Sequence, residues 1–492
     1  MNYYTLKVCC FPQISYIIDV VVKGGYEMSL NTKEQREIKK LEKAQSFHNA
    51  KNYFIILIIV LTIVYIVDEL ASNVRGTVDS FTICDLFNTT FGTPEYDKAS
   101  GTLGLVTTAC YLIYLVSPFY KSLADKYGRR LFLIINTLGM GVGMLVAIIA
   151  HNVPLYLVGV VIMTFFTPND VQVIYLMECA PKQHRAKLCS ITKGIALISV
   201  SLLGLFVKLF VDRENPATWR NVYIIPIILA FVIGIAAIFL VKETPVFTKK
   251  RLEYLKSSEE ERKAKDAAEK AAADEENASV MNAFKYIFKT KQTRYIAIVA
   301  ILMSIATGYT GKFQNMIEVG VARNAITAAG SDTILMFYPI INGIFTLLGG
   351  FLTDALGRKK SALILGLWAA LGLGVFAWGC SSELNPYITG FAYGFSIAGL
   401  WSISDMLFFV ITSESTPTGI RASVVGSMQL LGMVGVGLNM VYNNVVTLIA
   451  GSMNLPFVLT VSYLPLMAIS LLIMMLKIKE TKEIDLDNVA VN

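Results

Sequence analysis

Three short charged motifs occur twice in this chain, in the same order. LADKYGRR (123–130) returns as LTDALGRK (352–359), ECAPKQHR (178–185) as ESTPTGIR (414–421), and KETP (242–245) as KETK (479–482). The acidic positions Asp125 and Asp354, Glu178 and Glu414, and Glu243 and Glu480 recur at nearly the same separation. Each motif lies between apolar runs, where a short charged turn is expected. A long apolar chain with two matching halves is constrained to fold as two similar units packed around a common axis.

The environment of those units follows from composition. The chain has 492 residues, 54% hydrophobic and 16% charged, with a mean hydropathy of +0.57. A soluble domain usually carries about 25% charged residues. A membrane-crossing helix needs about 20 mostly apolar residues. Runs of that kind cover 53–80, 102–122, 131–150, 154–177, 189–211 and 221–241, then 294–318, 333–353, 361–380, 387–413, 422–449 and 455–477. None alternates apolar and polar in the manner of a barrel strand. The expectation is an all-α membrane protein, with about twelve transmembrane helices in two pseudo-symmetric six-helix bundles. The divisions expected are an N-terminal segment 1–50, a first bundle 51–242, a charged linker 243–293, a second bundle 294–478 and a tail 479–492.

Lys126, Arg129, Arg130, Lys182, Arg185, Lys187, Arg358, Lys359 and Lys360 share one set of short loops with the linker and the tail. The opposite loops hold few cations, chiefly Arg213, Arg220 and Arg323. By the positive-inside rule both termini are cytoplasmic. The net charge of +7 reads as this bias and not as a nucleic-acid surface. The seven cysteines and three histidines show no metal-ligand spacing, and no phosphate-binding glycine loop is present, so neither a cofactor nor ATP is expected. The linker sequence SSEEERKAKDAAEKAAADEE (257–276) suits an exposed helical tether. Lys23-Gly24-Gly25, shortly before Met28, can be encoded by a bacterial ribosome-binding site, so translation from Met28 in a bacterium is expected.

The loop motif with Leu123, Ala124, Asp125, Gly128, Arg129 and Arg130, and its copy with Leu352, Asp354, Gly357, Arg358 and Lys359, resembles that of the major facilitator superfamily. The Glu-x-x-Pro-x-x-x-Arg segments and the KETP and KETK ends resemble its sugar-porter and organic-ion branch, over roughly residues 50–485. The resemblance implies transport by alternating access. The chain departs from sugar porters at Gly308–Asn315 (GYTGKFQN), at GLWSISD (399–405), which lacks a proline, and at Lys193, where a glutamine is usual. These departures make an ionisable organic solute a live option.

Glycine in a tight turn permits left-handed backbone, and arginine can hold neighbouring carboxylates bidentately. A cytoplasmic gate is therefore expected from Asp125, Gly128, Arg129, Glu178 and Arg185, repeated as Asp354, Gly357, Arg358, Glu414 and Arg421. Polar groups within membrane helices are costly and mark the solute path. In the first span Tyr65, Asp68, Ser72, Arg75 and Asp79 recur at helical spacing and form a stripe expected to face the cavity. Asp68 is the preferred proton carrier. Asp405, one turn after Trp401, falls near mid-membrane and maps onto Asn169 beside Asp170. Gln172 and Tyr175 continue that face, and Gln314, Asn315 and Glu318 add polar groups in the seventh span. Gly349, Gly350, Gly374, Gly432, Gly435 and Gly437 read as close helix packing.

The expected function is secondary active transport of a small polar organic solute, sugar-like or an organic ion, across the plasma membrane by a monomer, with proton symport. The alternatives are efflux by antiport, facilitated uniport, or a membrane sensor that moves nothing. No constellation of catalytic residues suggests an enzyme.

Overall fold

The computed structural model describes residues 32–47, 51–116, 120, 123–124, 127–167, 171–180, 185–258, 260–263, 265, 281–417 and 420–482. Met28, Asn169 and Asp170 lie outside these residues, as do the side chains of Asp125, Arg185 and Asp354. All regular structure among the described residues is helical. Eleven helices among the described residues are long and apolar enough to cross a membrane. The twelfth position is filled by Pro94–Cys110 and the 3-10 turn Tyr111–Val116 that continues it.

Local chemistry sets where the spans begin. The second span opens at Pro94 and not near 102, because Thr93 caps it by accepting from the Tyr96 N–H and proline suits the first helical turn. Asn152 and Asn385 start the fourth and tenth spans in the same way, each with a proline in the first turn. The first span was expected to run unbroken to 80. It ends at Thr77, Val78 leaves helical geometry, and a separate helix Asp79–Phe87 follows. The seventh span is interrupted by the 3-10 turn Thr307–Lys312, and the tenth by a π-helical turn, Met406–Ile411.

Within the first half, the third span (Arg129–Ile149) packs on the fourth and sixth; within the second, the ninth (Arg358–Gly379) packs on the tenth and twelfth. The halves meet where the second span lies along the eleventh (Arg421–Ala450) and the fifth along the eighth (Ala328–Leu356). Phe239, Phe351, Ile449 and Phe457 are exposed on the outside of the bundles, as a lipid-facing belt requires. Close helix approach holds at Gly349 against Ser402, Gly432 against Phe408 and Gly435 against Ser304. Gly350, Gly374 and Gly437 face open space, so the packing expected there does not occur.

The start of the linker is not a free tether. Helix Pro245–Leu255 packs on helix Thr32–Phe47 through Leu41, Leu252 and Leu255. Arg251 with Glu37 at 2.9 Å, Lys256 with Glu42 at 2.9 Å and Arg262 with Glu34 at 3.1 Å flank that seam.

Candidate functional site

On the face that carries the basic loops, each set of repeated motifs closes into the same clamp. Arg129 donates from Nε to Glu178 at 3.1 Å and from Nη1 to the Ala124 carbonyl at 3.1 Å. Arg358 donates from Nη2 to Glu414 at 2.6 Å and from Nη1 to the Thr353 carbonyl at 3.0 Å. The third motif, given no role from sequence, completes each clamp. Glu243 accepts from the Arg129 backbone N–H at 2.9 Å, and Glu480 from that of Arg358 at 2.8 Å. Both carboxylates thus satisfy free N–H groups at a helix start, where negative charge is favoured. Thr244 and Thr481 donate to Glu178 and Glu414, each at 2.5 Å. Gly128 has φ +103° and Gly357 φ +86°, the left-handed geometry that aims the next N–H at the acid. Every bond named here stays within its own half. Arg421 donates to the Thr416 carbonyl at 3.2 Å.

The two caps differ in environment. Burial pushes the Glu243 carboxyl up, against the pull of the Thr244, Arg130 and Arg129 N–H groups. Glu480 is much more open, and although its slight burial acts upward, N–H groups of Lys359, Arg358, Lys482 and Thr481 hold it below the usual glutamate value.

Between the halves lies a cavity of about 490 Å³. Tyr65, Glu69, Ser72 and Asn73 line it from the first span, Lys193 from the fifth, Asn342 from the eighth, and Trp401 and Asp405 from the tenth. A second cavity of about 360 Å³ continues from Tyr65 and Lys193 past Gln172 and Leu176 to Phe409, toward the basic face. Lys193 Nζ and Asp405 stand 3.8 Å apart across the halves, each side chain about half exposed. Asp405 is the last residue before the π-helical turn, a feature frequent at functional sites.

The expected stripe on the first span is therefore met in part: Tyr65 and Ser72 face the cavity, but Glu69 and not Asp68 stands between them. Positions 65, 69, 72 and 73 share the cavity face, whereas Asp68 is buried and accepts from Gln172 Nε2 at 2.8 Å. Arg75 and Asp79 line a separate small cavity. Tyr175 lines neither large cavity: it is buried, with its hydroxyl donating to the Lys242 carbonyl. Glu69, which lies outside the expected stripe, takes the place of Asp68 on the cavity wall. Its spacing to Tyr65 and Ser72 fits a helix face as well as that of Asp68 does, and sequence alone could not choose.

Gln314 and Asn315 belong to a layer of contacts that joins the halves on the opposite, far face. Gln314 donates to Ser80 Oγ at 2.6 Å and accepts from the Ser80 N–H at 2.9 Å. Asn315 donates to Tyr96 Oη at 2.8 Å. Arg213 donates to Glu318 at 2.8 Å and to Ser331 at 2.5 Å. The Ser452 N–H donates to Asp97 at 2.8 Å. Arg213 had stood out only as a cation on the loop side that lacks them. That misplacement was the signal, since such a charge needs a partner. Among the described residues the cavity is thus closed off by bonds between halves on the far face, while the bonded clamps on the basic face do not cross.

The family model for the Major Facilitator Superfamily matches residues 52–440. The chain belongs to the Major Facilitator Superfamily. No curated protein matches it. A solved D-xylose–proton symporter is similar in fold, at 15% identity and TM-score 0.63, with 87% of this chain and 99% of that chain covered. The xylose transporter XylE from E. coli in an inward-open conformation aligns at 18% identity and TM-score 0.60, covering 89% and 99%. The nucleoside transporter NupG aligns at 15% and 0.59, covering 85% and 99%. At these identities the likeness is one of fold. The chain is a multi-pass membrane protein of a transporter family, not of an enzyme family.

Proposed function

We propose that this protein is a secondary active transporter that carries a small organic ion with a positively charged group by alternating access, coupled to protons. The observation that carries this reading is the cavity between the halves, which holds Glu69, Lys193 and Asp405 beside the exposed Trp401. Two carboxylates against one ammonium leave a net negative site when all are ionised, and an indole face attracts cations. The Lys193–Asp405 pair is half exposed and long, so it is worth no more than about 1 kcal/mol and yields readily to a solute. A neutral sugar would bring no positive charge to balance the surplus carboxylate.

The divisions into bundles 51–242 and 294–478, with a linker between them, supply the two rocking bodies. The charge bias supports a cytoplasmic basic face, in the plasma membrane, with the cavity open inward. In this reading the clamps of Arg129 and Arg358 keep each half rigid while the halves part.

Thermal-shift measurements on the purified protein test the reading. Choline, glycine betaine and xylose serve as probes of cation, zwitterion and neutral sugar, since a ligand stabilises the folded state by mass action. Choline or betaine should raise the melting temperature, and Asp405→Asn should weaken that effect at least tenfold, or about 1.4 kcal/mol. Stabilisation by xylose alone would replace the organic ion with a sugar.

A further inference from the structure

The small cavity set apart from the solute site holds a charge cluster that the reading above does not use. Arg75, Asp79, Ser100, Lys312, Asn439 and Asn444 surround about 70 Å³ of space between the halves. Arg75, Asp79 and Ser100 come from the first half; Lys312 and the asparagines come from the second. Lys312 is 6% exposed, and its one hydrogen bond among the described residues is a long one, to Ser100 Oγ at 3.4 Å. Arg75 donates to Thr107 at 3.1 Å. No carboxylate lies within ion-pair distance of either cation among the described residues. The asparagines supply no counter-charge: Asn439 and Asn444 donate their amide N–H groups to Ser304, Thr307, Thr108 and Met440, which leaves only uncharged carbonyl oxygens to offer the cations.

Two cations therefore share one acid, Asp79, around a narrow pocket in which Lys312 is buried and Arg75 and Asp79 are half-buried. The other charged or titratable groups around them are few. Tyr111, Tyr156 and Tyr223 surround Arg75, and the buried Tyr96 lies beside Ser100 and Asp79. Tyr463 of the twelfth span donates to Asn443. Glu318, farther along the seventh span, is held by Arg213. Burying a surplus cation is costly unless it is discharged. Arginine does not discharge in proteins, whereas a buried lysine gives up its proton readily. The pocket has walls from both halves, so it exists only while the far face is closed.

We propose that Lys312 is a proton-binding site tied to the conformational cycle: it takes a proton from the outer solution when the far face opens and surrenders it when the halves close over Arg75 and Asp79. The segment Thr310–Phe313 stands between this pocket and the central cavity, with Thr310 and Phe313 on the cavity wall and Gly311 and Lys312 on the pocket wall. A proton shed on closing thus has the inward-facing cavity beside it. The lysine is charged when the far face is open and neutral when it is closed, so acid favours opening and alkali favours closing.

The inference rests on alternating access, and one experiment separates the two. Spin labels on unnatural amino acids at positions 215 and 329 report the width of the far face in the full-length protein in lipid nanodiscs. Lowering the pH from about 10 to about 6, across the lysine range, should lengthen that distance in the native protein. Lys312→Met, or Lys312→Gln should the first fold poorly, should abolish the response and leave the far face closed. Arg75→Met should move the midpoint to higher pH, because the competing cation is gone. A full pH response in both Lys312 variants would overturn the proposal while leaving alternating access intact, provided that Arg213→Ala still opens the far face. If neither pH nor Arg213→Ala changes the distance, alternating access fails and the proposal with it.

Discussion

At the scale of single residues, charge in the wrong place was the most readable signal. Asp405 and Trp401 were picked out because polar and bulky aromatic groups near mid-membrane need a reason, and both line the central cavity. Asp68 was picked out by the same logic, yet Gln172 meets it and both are buried. Asp68 and Glu69 leave the helix about 100° apart, and both keep helical spacing to Tyr65 and Ser72, so the sequence does not choose between them. Asp68→Asn should therefore act on stability and not on the solute. The loss should be about 1 kcal/mol, the net worth of one such hydrogen bond, seen as a lower melting temperature with unchanged choline or betaine affinity. A large loss of affinity with an unchanged melting temperature would return Asp68 to the solute path. Glu243 and Glu480 also differ in a way that sequence does not record, since KETP and KETK look alike while one acid is half-buried and the other is open. Glu480 is held below the ordinary value, so it stabilises the fold above that range and loses its contribution as the pH falls through its lowered value. Glu243 is pushed up, so protonation does not cost the fold in the same way. Acidification should loosen the tail clamp first, read as faster hydrogen exchange at the Arg358 and Lys359 N–H groups than at Arg129 and Arg130. The reverse order would contradict the assignment.

Whole elements were legible where apolar length decided the matter, and less so at their ends. The cap at Thr93 and Pro94 moved the start of the second span, because a capped proline turn can precede the purely apolar stretch. The break at Val78 and the π-helical turn after Asp405 left no clear mark in an apolar sequence. The repeated glycines were read correctly as left-handed turns, but their cost differs with what lies opposite. A Cβ on Gly128 would stand 2.4 Å from the half-buried Glu243 carboxylate; one on Gly357 would stand 3.1 Å from the exposed Glu480, which can move aside. Each alanine pays about 1–3 kcal/mol for a positive-φ, extended backbone that glycine alone adopts freely, and Gly128→Ala adds the clash. Thermal unfolding should show Gly128→Ala to be the more damaging of the two. Equal losses would mean that the Glu243 carboxylate also relaxes freely.

For the whole molecule, the duplicated motifs announced two like halves, and the fold has them. How the halves meet was not legible, because Ser80 with Gln314 or Arg213 with Glu318 are pairings between distant, unlike segments that no internal repeat encodes. Those bonds close the far face while the cavity runs toward the basic face. Alternating access requires the two faces to move in opposite senses. The most direct measurement is a pair of distances in the full-length protein, between labels at exposed positions 215 and 329 on the far face and at 127 and 360 on the basic face. When Arg213→Ala removes the far-face bonds, the first distance should lengthen and the second should shorten together. If the far face widens while the basic face stays fixed, the halves do not rock about the Lys193–Asp405 site, and the protein is not the alternating-access transporter described here.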